Sequence, residues 1–556
     1  VNGKMSAADF EALHNDEGFP DLDPDRPSNG KKEKEESLAA LIIKLVLPHV
    51  ELFHDPKLIA YALVTDGTKR VAIMVRSRAM KTWIGFIVRE LGPISVKALE
   101  EAIALLESLA IHDNEERLVH LRVAEVEGAI YIDLGDDTGR VVEVTHNGWR
   151  LLDVAPVMFR RVDAMRPLPT PKRGGKVEEL RPFLNVDDHG FVLSVAWLVA
   201  AYRPGRPFTI LAAHGEQGTA KSTYTRVLRD LVDPNAVPVR SPPKSEDDLI
   251  ISASHSHVVA FDNLSGVQPW LSDALCRLAT GGGLSKRSLY TDGEEFVIEV
   301  LRPCAVNGID ELANRADLAE RAIVLELQPL PAGKRKSERA FREAFAEAAP
   351  SIFGALLDGV SAAVKNIGGI VEADLPRMAD FAMWAAAAES GLGFAPGTIA
   401  EAYKRNRQRA VDLALEASPV AVALREFLRK PMQAGRWEGQ PEQLLSALSE
   451  LTAEPTRRMP SWPKNGAALS RSLRRAATFL RTVGFEIDFD GKDGSGAAKS
   501  RQWTVKASAE ALGRDQGRSG TQLDPSRSTE ETSAGDARDA RDAVSPTSHP
   551  FSGLLS

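Results

Sequence analysis

Apolar and polar residues change rhythm several times along the chain. From Ser37 an apolar helical stretch leads to a predicted strand, Arg70-Val-Ala-Ile-Met-Val75. Helical stretches follow over Ala79 to Leu91 and Ser95 to Ala110, the second with apolar positions every three or four residues. The alternating runs Leu118 to Val123 and Ala129 to Leu134 predict strands, and Gly148-Trp149 closes a small α+β unit near Phe159. In the middle, short apolar runs (Thr209 to Ala213, Val258 to Phe261, Pro303 to Val306, Ala322 to Leu327) alternate with helical stretches, the pattern of a parallel α/β sheet. Ser337 to about Lys430 is helical and Ala-rich.

Punctuation residues and composition divide the chain. Residues 1–36 hold several prolines and a charge run and read as a flexible leader; 37–165 form the α+β domain. Pro167 to Gly175 marks a linker over 166–180. The sheet core spans 181–330, a helical region 331–417 and a compact C-terminal domain 418–508. Ser, Asp, Arg and Gly dominate 509–556, which predicts a disordered tail. With 43% hydrophobic and 26% charged residues over 556 positions, most of the chain can bury a core. The net charge of −8 means that any nucleic-acid surface must be local. Two cysteines, no apolar run of spanning length and no apolar core of a secretory signal point to a cytoplasmic protein with no membrane association.

The strongest chemical signal is His214-Gly-Glu-Gln-Gly-Thr-Ala-Lys-Ser222, between a predicted strand and a predicted helix. It fits G-x-x-x-x-[G]-K-[ST], with Ala220 in the place of the last glycine. Gly215 and Gly218 let the backbone of Gly215, Glu216, Gln217, Gly218, Thr219, Ala220, Lys221, Ser222 and Thr223 curl its N–H groups toward phosphate oxygens, and the helix N-terminus adds positive potential. Lys221 then reaches the β and γ phosphates of ATP and Ser222 ligates Mg²⁺. A helical φ at Ala220 would make glycine unnecessary there.

A carboxylate must help hold the metal. Val258-Val-Ala-Phe-Asp262 supplies it at the end of a buried strand expected beside the phosphate-loop strand. Asn307, at the tip of the next core strand, can orient the attacking water or sense the γ phosphate. Arg321, just before the strand Ala322 to Leu327, can reach a neighbouring subunit's γ phosphate. Lys221, Asp262, Asn307 and Arg321 are the candidate catalytic set, and Ser222 and Asp262 the candidate metal ligands.

With these motifs in order, the block from His214 to Leu327 resembles the AAA+ ATPases, and within them the superfamily 3 helicase and phage or plasmid primase-helicase branch. Thr280-Gly281-Gly282, Lys286-Arg287 and Tyr290 stand where that branch carries a Thr-Gly-Gly…Lys/Arg…Tyr motif. The resemblance implies a P-loop AAA+ core and a homo-oligomeric ring, usually a hexamer, that threads DNA past basic residues in a hairpin. Lys286 and Arg287, at the hairpin base, are the DNA candidates, since the tip (Tyr290 to Glu295) is acidic. Asn263 stands where many relatives carry a second acid that polarises water, which points to slow hydrolysis or to Glu294 or Glu295 in that role.

From Lys464 to Lys506 basic residues outnumber acidic ones nine to four. A Pro-bounded entry, a helix over 466–483, a strand, a Gly-rich turn and a closing strand read as a winged-helix-like domain. In it Leu469, Leu473 and Leu480 face the core and Arg471, Arg474 and Arg475 face DNA. Asp133, Asp136 and Asp137 near a strand end could hold two Mg²⁺ ions for primase chemistry, although a turn is the commoner reason for such acids. Arg76, Arg78, Lys81 and Trp83 form a basic–aromatic cluster. The expected function is an ATP-driven DNA motor, a replication helicase or primase-helicase-like ATPase of a phage or mobile element. The alternative is a slow-cycling, nucleotide-gated regulator or scaffold ATPase.

Overall fold

A computed structural model describes residues 37–66, 69–265, 267–282, 284–287, 295–298, 301–309, 316–329, 337–370, 376–430, 432–491 and 502–513. The expected leader, the hairpin tip with Tyr290 and Glu294, most of the Gly-rich turn near Gly491 and all but the start of the tail lie outside these residues. The chain divides into two compact units, one ending at Pro419 and the other beginning at Val420.

The first unit opens with α1 (Leu38–Val46), which Ser37 caps by accepting from Ala40 N at 3.2 Å. An antiparallel meander follows, of β1 (Val50–His54), β2 (Ala60–Asp66) and β3 (Lys69–Met74). Next come α2 (Arg78–Ile87) and α3 (Val96–His112), whose Met80, Ile84 and Leu106 join Ile42 and Val46 in one core. After β4 (Val119–His120), a second antiparallel sheet runs through β5 (Val123–Val126), β6 (Ala129–Asp133), β7 (Val141–Thr145) and β8 (Gly148–Leu152). Then β9 (Met158–Phe159) returns to pair with β4.

This region was expected as one α+β unit, but its two larger sheets have different cores. Ile130, Ile132, Val142 and Val144 of the second sheet belong to the large apolar core of the parallel-sheet region. Trp149 donates from Nε1 to Asp358 at 2.9 Å, and Ser361 donates to the Thr145 carbonyl at 2.6 Å. The expected linker is likewise packed. Leu168 is buried, Lys172 N donates to Pro350 O at 2.9 Å, and a Cβ on Gly354 would stand 1.8 Å from the Lys172 carbonyl. Glycine at 354 lets the strap lie directly on the helix, which its Pro- and Gly-rich sequence does not reveal.

The parallel sheet follows α4 (Asp188–Ala201), a helix buried on nearly every side, so its sequence lacks an amphipathic period. The sheet's elements are β10 (Ile210–His214), α5 (Lys221–Asp230), α6 (Glu246–Ser254), β11 (Val259–Ser265), α7 (Pro269–Thr280), the antiparallel pair β12 (Leu284–Arg287) and β13 (Glu295–Ile298), β14 (Cys304–Ile309), α8 (Ala316–Ala319) and β15 (Ala322–Glu326). The strand order is β11-β14-β10-β15, all parallel. The strand bearing Asp262 therefore does not lie beside the phosphate-loop strand as expected, because the strand bearing Asn307 is inserted between them. Leu211, Ala213, Ile323 and Leu325 face one core and Ile210, Ala212, Val306 and Val324 the other, so a sheet covered on both faces gives continuous apolar runs.

Three helices complete the unit, α9 (Glu338–Asn366), α10 (Ala379–Leu392) and α11 (Thr398–Glu416). From α11 the buried Asn406 accepts from Val324 N at 3.0 Å and donates to Val324 O at 2.6 Å, closing the free edge of β15 as another strand would. The helices share the sheet's core and are not a separate layer.

The second unit runs α12 (Pro419–Arg429), β16 (Arg436–Gly439), α13 (Pro441–Leu451), α14 (Glu454–Arg457), α15 (Gly466–Thr482), β17 (Phe485–Gly491), β18 (Gln502–Ala507) and α16 (Ala509–Gly513). Its antiparallel sheet has the order β16-β18-β17. Leu469, Leu473 and Leu480 are buried, as the period of α15 requires. The tail expected from 509 begins instead with α16, where Ser508 accepts from Ala511 N at 3.2 Å.

Candidate functional site

The loop between β10 and α5 is shaped by three left-handed or near-extended residues. Gly215 has φ 151°, and a Cβ there would lie 2.8 Å from Leu327 O and 3.0 Å from Thr219 Oγ1. Gly218 has φ 86°. Ala220 has φ 63° and ψ 32°, in the left-handed region, which corrects the helical φ expected for it. The chain must reverse its curl to enter α5, and here that turn falls on a residue carrying a Cβ.

Two further side chains fix the loop. The buried Thr219 donates its hydroxyl to Glu216 O at 2.9 Å, and Asn185 donates from Nδ2 to Thr219 O at 3.1 Å and also to Gln328 O. Asn185 was not foreseen, because nothing near it in sequence marks it. Lys221 folds back over the loop, its Nζ donating to Gly215 O at 2.7 Å and Glu216 O at 2.8 Å. Ser222 donates to Asp262 Oδ1 at 2.9 Å, which brings the two expected metal ligands together.

Asp262 sits at a break in β11, where the register with β14 shifts between Phe261 and Leu264. Asn263 takes the extra position with φ 56°, a conformation that asparagine tolerates. Its N–H donates to Asn307 Oδ1 at 2.9 Å, and Asn307 Nδ2 donates to Thr225 Oγ1 at 3.0 Å. Fully buried Asn307 thus links β11 to α5 with both ends of its amide engaged, where the sequence suggested a group facing the pocket. Opposite the bulge, a Cβ on Gly308 would meet Leu264 O at 2.2 Å. Bulge and glycine together set where Asp262 points.

Beside the loop opens a cleft of about 1620 Å³ lined by Phe183, Asn185, Gly218, Ala220, Thr223 and Arg226, among others. Arg226 pairs with Glu338 at 3.0 Å across it. Asp230 lies at its back, where burial pushes the carboxyl up to about 6 despite Arg226, Arg229 and Arg342 nearby.

The remaining candidates are distributed. Arg321 precedes β15 at the end of the sheet remote from the loop, roughly 16 Å away along the strands at about 3.3 Å per residue. Its Nη1 donates to Asp317 O at 2.8 Å. Lys286 and Arg287 lie on β12 in register with Phe296 and Glu295. In the second unit Arg471, Arg474 and Arg475 are exposed along α15, with the Arg474 guanidinium 4.3 Å from the centre of the Phe489 ring. Two of the three acids considered for primase chemistry are otherwise engaged. Asp133 accepts from Arg161 at 3.0 and 2.6 Å, and Asp136 accepts from Thr138, Gly139 N and Arg140 within its own turn. These bonds satisfy a turn, and no pair of acids is left to converge on metal.

The donor set fits a magnesium–nucleotide. Gly215 and Gly218 hold positive-φ backbone that favours glycine, the Lys221 cation rests on loop carbonyls, and a hydroxyl and a carboxylate meet at the loop's edge. Among the described residues no cluster of three or more His, Cys, Asp or Glu forms a metal cage. Magnesium held chiefly by phosphates and water needs only one or two protein oxygens. No single described helix is long and apolar enough to cross a membrane.

A search of curated proteins finds no match. Among solved structures, that titled "SCCmec type IV Cch - active helicase" is 13% identical, with 84% of this chain and 94% of that chain covered and a TM-score of 0.46. The "A form apo structure of NrS-1 C terminal region" is 12% identical, with 84% and 99% covered and a TM-score of 0.39. Residues 179–407 match the model of the actinomycete integrative conjugative element replication protein, and residues 420–522 match that of the RepA C-terminal domain from the same elements. Over its parallel-sheet core and its C-terminal unit, the chain is therefore similar to the replication proteins of actinomycete integrative conjugative elements.

Proposed function

We propose that the chain is an ATP-binding and ATP-hydrolysing DNA motor, a replication helicase of a mobile element with a P-loop AAA+ core. The observation that carries this is the meeting of Lys221, Ser222 and Asp262 around one loop that opens a helix. It lies within the stretch similar to a mobile element's replication protein.

In this account the loop N–H groups from Gly215 to Thr223 receive phosphate oxygens, and Lys221 exchanges the Gly215 and Glu216 carbonyls for them. Ser222 and Asp262 would hold Mg²⁺, which supplies charge neutralisation on the phosphoryl group being transferred. Asn307 acts by positioning, holding the Asn263 backbone and Thr225 in fixed relation to Asp262. The cleft lined by Phe183 and Arg226 accepts the rest of the nucleotide. Arg321 is too far from its own loop and serves a neighbour's, which requires a ring, a hexamer by the superfamily 3 resemblance. The second unit acts as a winged helix, with Arg471, Arg474 and Arg475 toward DNA phosphates, while Lys286 and Arg287 line the path of the strand.

The test is complementation. Lys221→Ala and Arg321→Ala should each lose DNA-stimulated ATP hydrolysis and strand displacement, and mixing them should restore part of the hydrolysis, since each supplies what the other lacks. Normal hydrolysis by Arg321→Ala alone contradicts the trans role. A second reading, a slow-cycling regulator, is favoured by one observation: Asn263, bound to Asn307, stands where a second acid would polarise water. Strand displacement at any measurable turnover separates the motor from the regulator.

A further inference from the structure

Away from the phosphate loop, a pocket of about 690 Å³ lies between the N-terminal meander and the parallel-sheet region. Its lining is mostly apolar and includes Val71, Ile73, Ile251 and the indole of Trp83. Arg78, Arg160, Arg161 and Arg240 line it, against one acidic side chain, Asp163, and His255. Arg161 is neutralised by Asp133 at 2.6 Å. Arg160 donates to the Ser254 carbonyl and Arg240 to Ser252 Oγ at 3.3 Å. Arg78, Arg160 and Arg240 have no carboxylate partner among the described residues. The neighbouring cations Arg76 and Lys81, by contrast, pair with Glu107 and Glu100 and stay out of the pocket.

A mostly apolar pocket with one indole and several guanidinium groups in its lining matches a ligand with one flat face and one anionic group. The volume is in the range that holds one small ligand. We propose that this pocket binds a nucleoside phosphate unit, the base against Trp83 and the apolar lining and the phosphate on Arg78, Arg160 and Arg240, as one nucleotide of a single DNA strand or as a free nucleotide. Stacking on an aromatic side chain tolerates any base, because every base has a π-face.

The pocket is wired to the candidate ATP site. Arg240 N donates to Ala260 O at 3.0 Å, and Asp262 N donates to Arg240 O at 2.8 Å. The residue whose side chain lines the pocket thus holds the backbone of the metal-binding carboxylate, and a phosphate drawing on Arg240 bears directly on Asp262. This coupling rests on the role of Asp262 proposed above; binding in the pocket does not.

Photocrosslinking tests the binding separately. Full-length Lys221→Ala protein, which removes the loop's phosphate-binding cation, is irradiated with an oligodeoxythymidylate carrying one 5-iododeoxyuridine, and in a second arm with 5-iododeoxyuridine monophosphate, and adducts are mapped by mass spectrometry. The expected result is an adduct at Trp83 or a neighbouring lining residue, reduced at least tenfold by the exposed substitution Arg78→Glu in a protein with an unchanged melting temperature. An adduct from the oligonucleotide identifies the strand as the source, and an adduct from the monophosphate alone identifies free nucleotide. No adduct in the pocket from either probe, or one indifferent to Arg78→Glu, overturns the proposal. Because the readout needs no hydrolysis, it stands even if the chain proves not to be an ATPase.

Discussion

The Ser222 hydroxyl and the Asp262 carboxylate, forty positions apart in sequence, stand 2.9 Å from each other across the gap between a helix N-terminus and a strand bulge. If they share one hydrated Mg²⁺, their removal is not additive. Ser222→Ala and Asp262→Asn should each weaken Mg²⁺-dependent nucleotide binding by about tenfold, or ~1.4 kcal/mol. The double variant should lose little more, and chelating the metal should reduce wild-type affinity while barely affecting the double variant. Titration calorimetry with and without Mg²⁺ reads all four corners.

Ala220 holds a backbone conformation that costs a residue with a Cβ about 1–2 kcal/mol. Ala220→Gly should raise stability by about 1 kcal/mol, with nucleotide affinity kept or improved. Ala220→Val should lower both. Denaturant unfolding of the two variants checks the sign.

Asn307 is buried with both amide ends bonded. Asn307→Ala leaves the Asn263 N–H without its acceptor, at a cost of about 1–3 kcal/mol. Because the lost bond fixes the bulge beside Asp262, hydrolysis should fall more than nucleotide binding. Equal losses in both would mean that Asn307 only supports the core.

Arg122 and Asp233 form a buried ion pair at 3.1 Å, and Arg122 also donates to the carbonyls of Asp133 and Arg166 at 3.1 and 2.8 Å. Burial alone would push the Asp233 carboxyl up, but the cations Arg122 and Arg229 outweigh it and hold the carboxyl below the usual range. Arg122→Met strands that charge and should destabilise the first unit by about 3–5 kcal/mol. Melting followed by tryptophan fluorescence should show the shift.

Asp230 carries a pH signature. Its native pKa of about 6 lies above the ordinary carboxylate value, so between about pH 4 and 6 the folded protein binds the proton that the unfolded chain gives up. Burial of this carboxyl therefore costs stability above pH 6, and the cost disappears as pH falls to about 4. Asp230→Asn should be stabilising at pH 8 by up to about 3 kcal/mol relative to its effect at pH 4. A pH-independent difference would contradict the burial argument.

The strand–loop–helix setting of Gly215 to Thr223 was legible because its glycines, Lys221 and Ser222 are contiguous between an apolar run and a helical stretch. The strands of the parallel sheet were legible because burial on both faces makes them continuously apolar. Their order was not, since nothing in the sequence states that Cys304–Ile309 inserts between the other two strands. The left-handed turn at Ala220 was hidden because the residue type disguises it. Pro167 to Gly175 looked like a linker because residues that break helices also allow close backbone contact. Asn185, Thr225 and Arg240 act through long-range hydrogen bonds, which leave no periodic trace in the sequence.

In the proposed function, the loop from Gly215 to Thr223 takes a magnesium–nucleoside triphosphate. Equilibrium binding of a fluorescent ATP analogue to the wild type and to Lys221→Ala, each with and without Mg²⁺, tests it most directly. Saturable, Mg²⁺-enhanced binding by the wild type and at least a hundredfold weaker binding by Lys221→Ala is the predicted result. Equal binding by the two proteins, or none by a folded wild type, would contradict it.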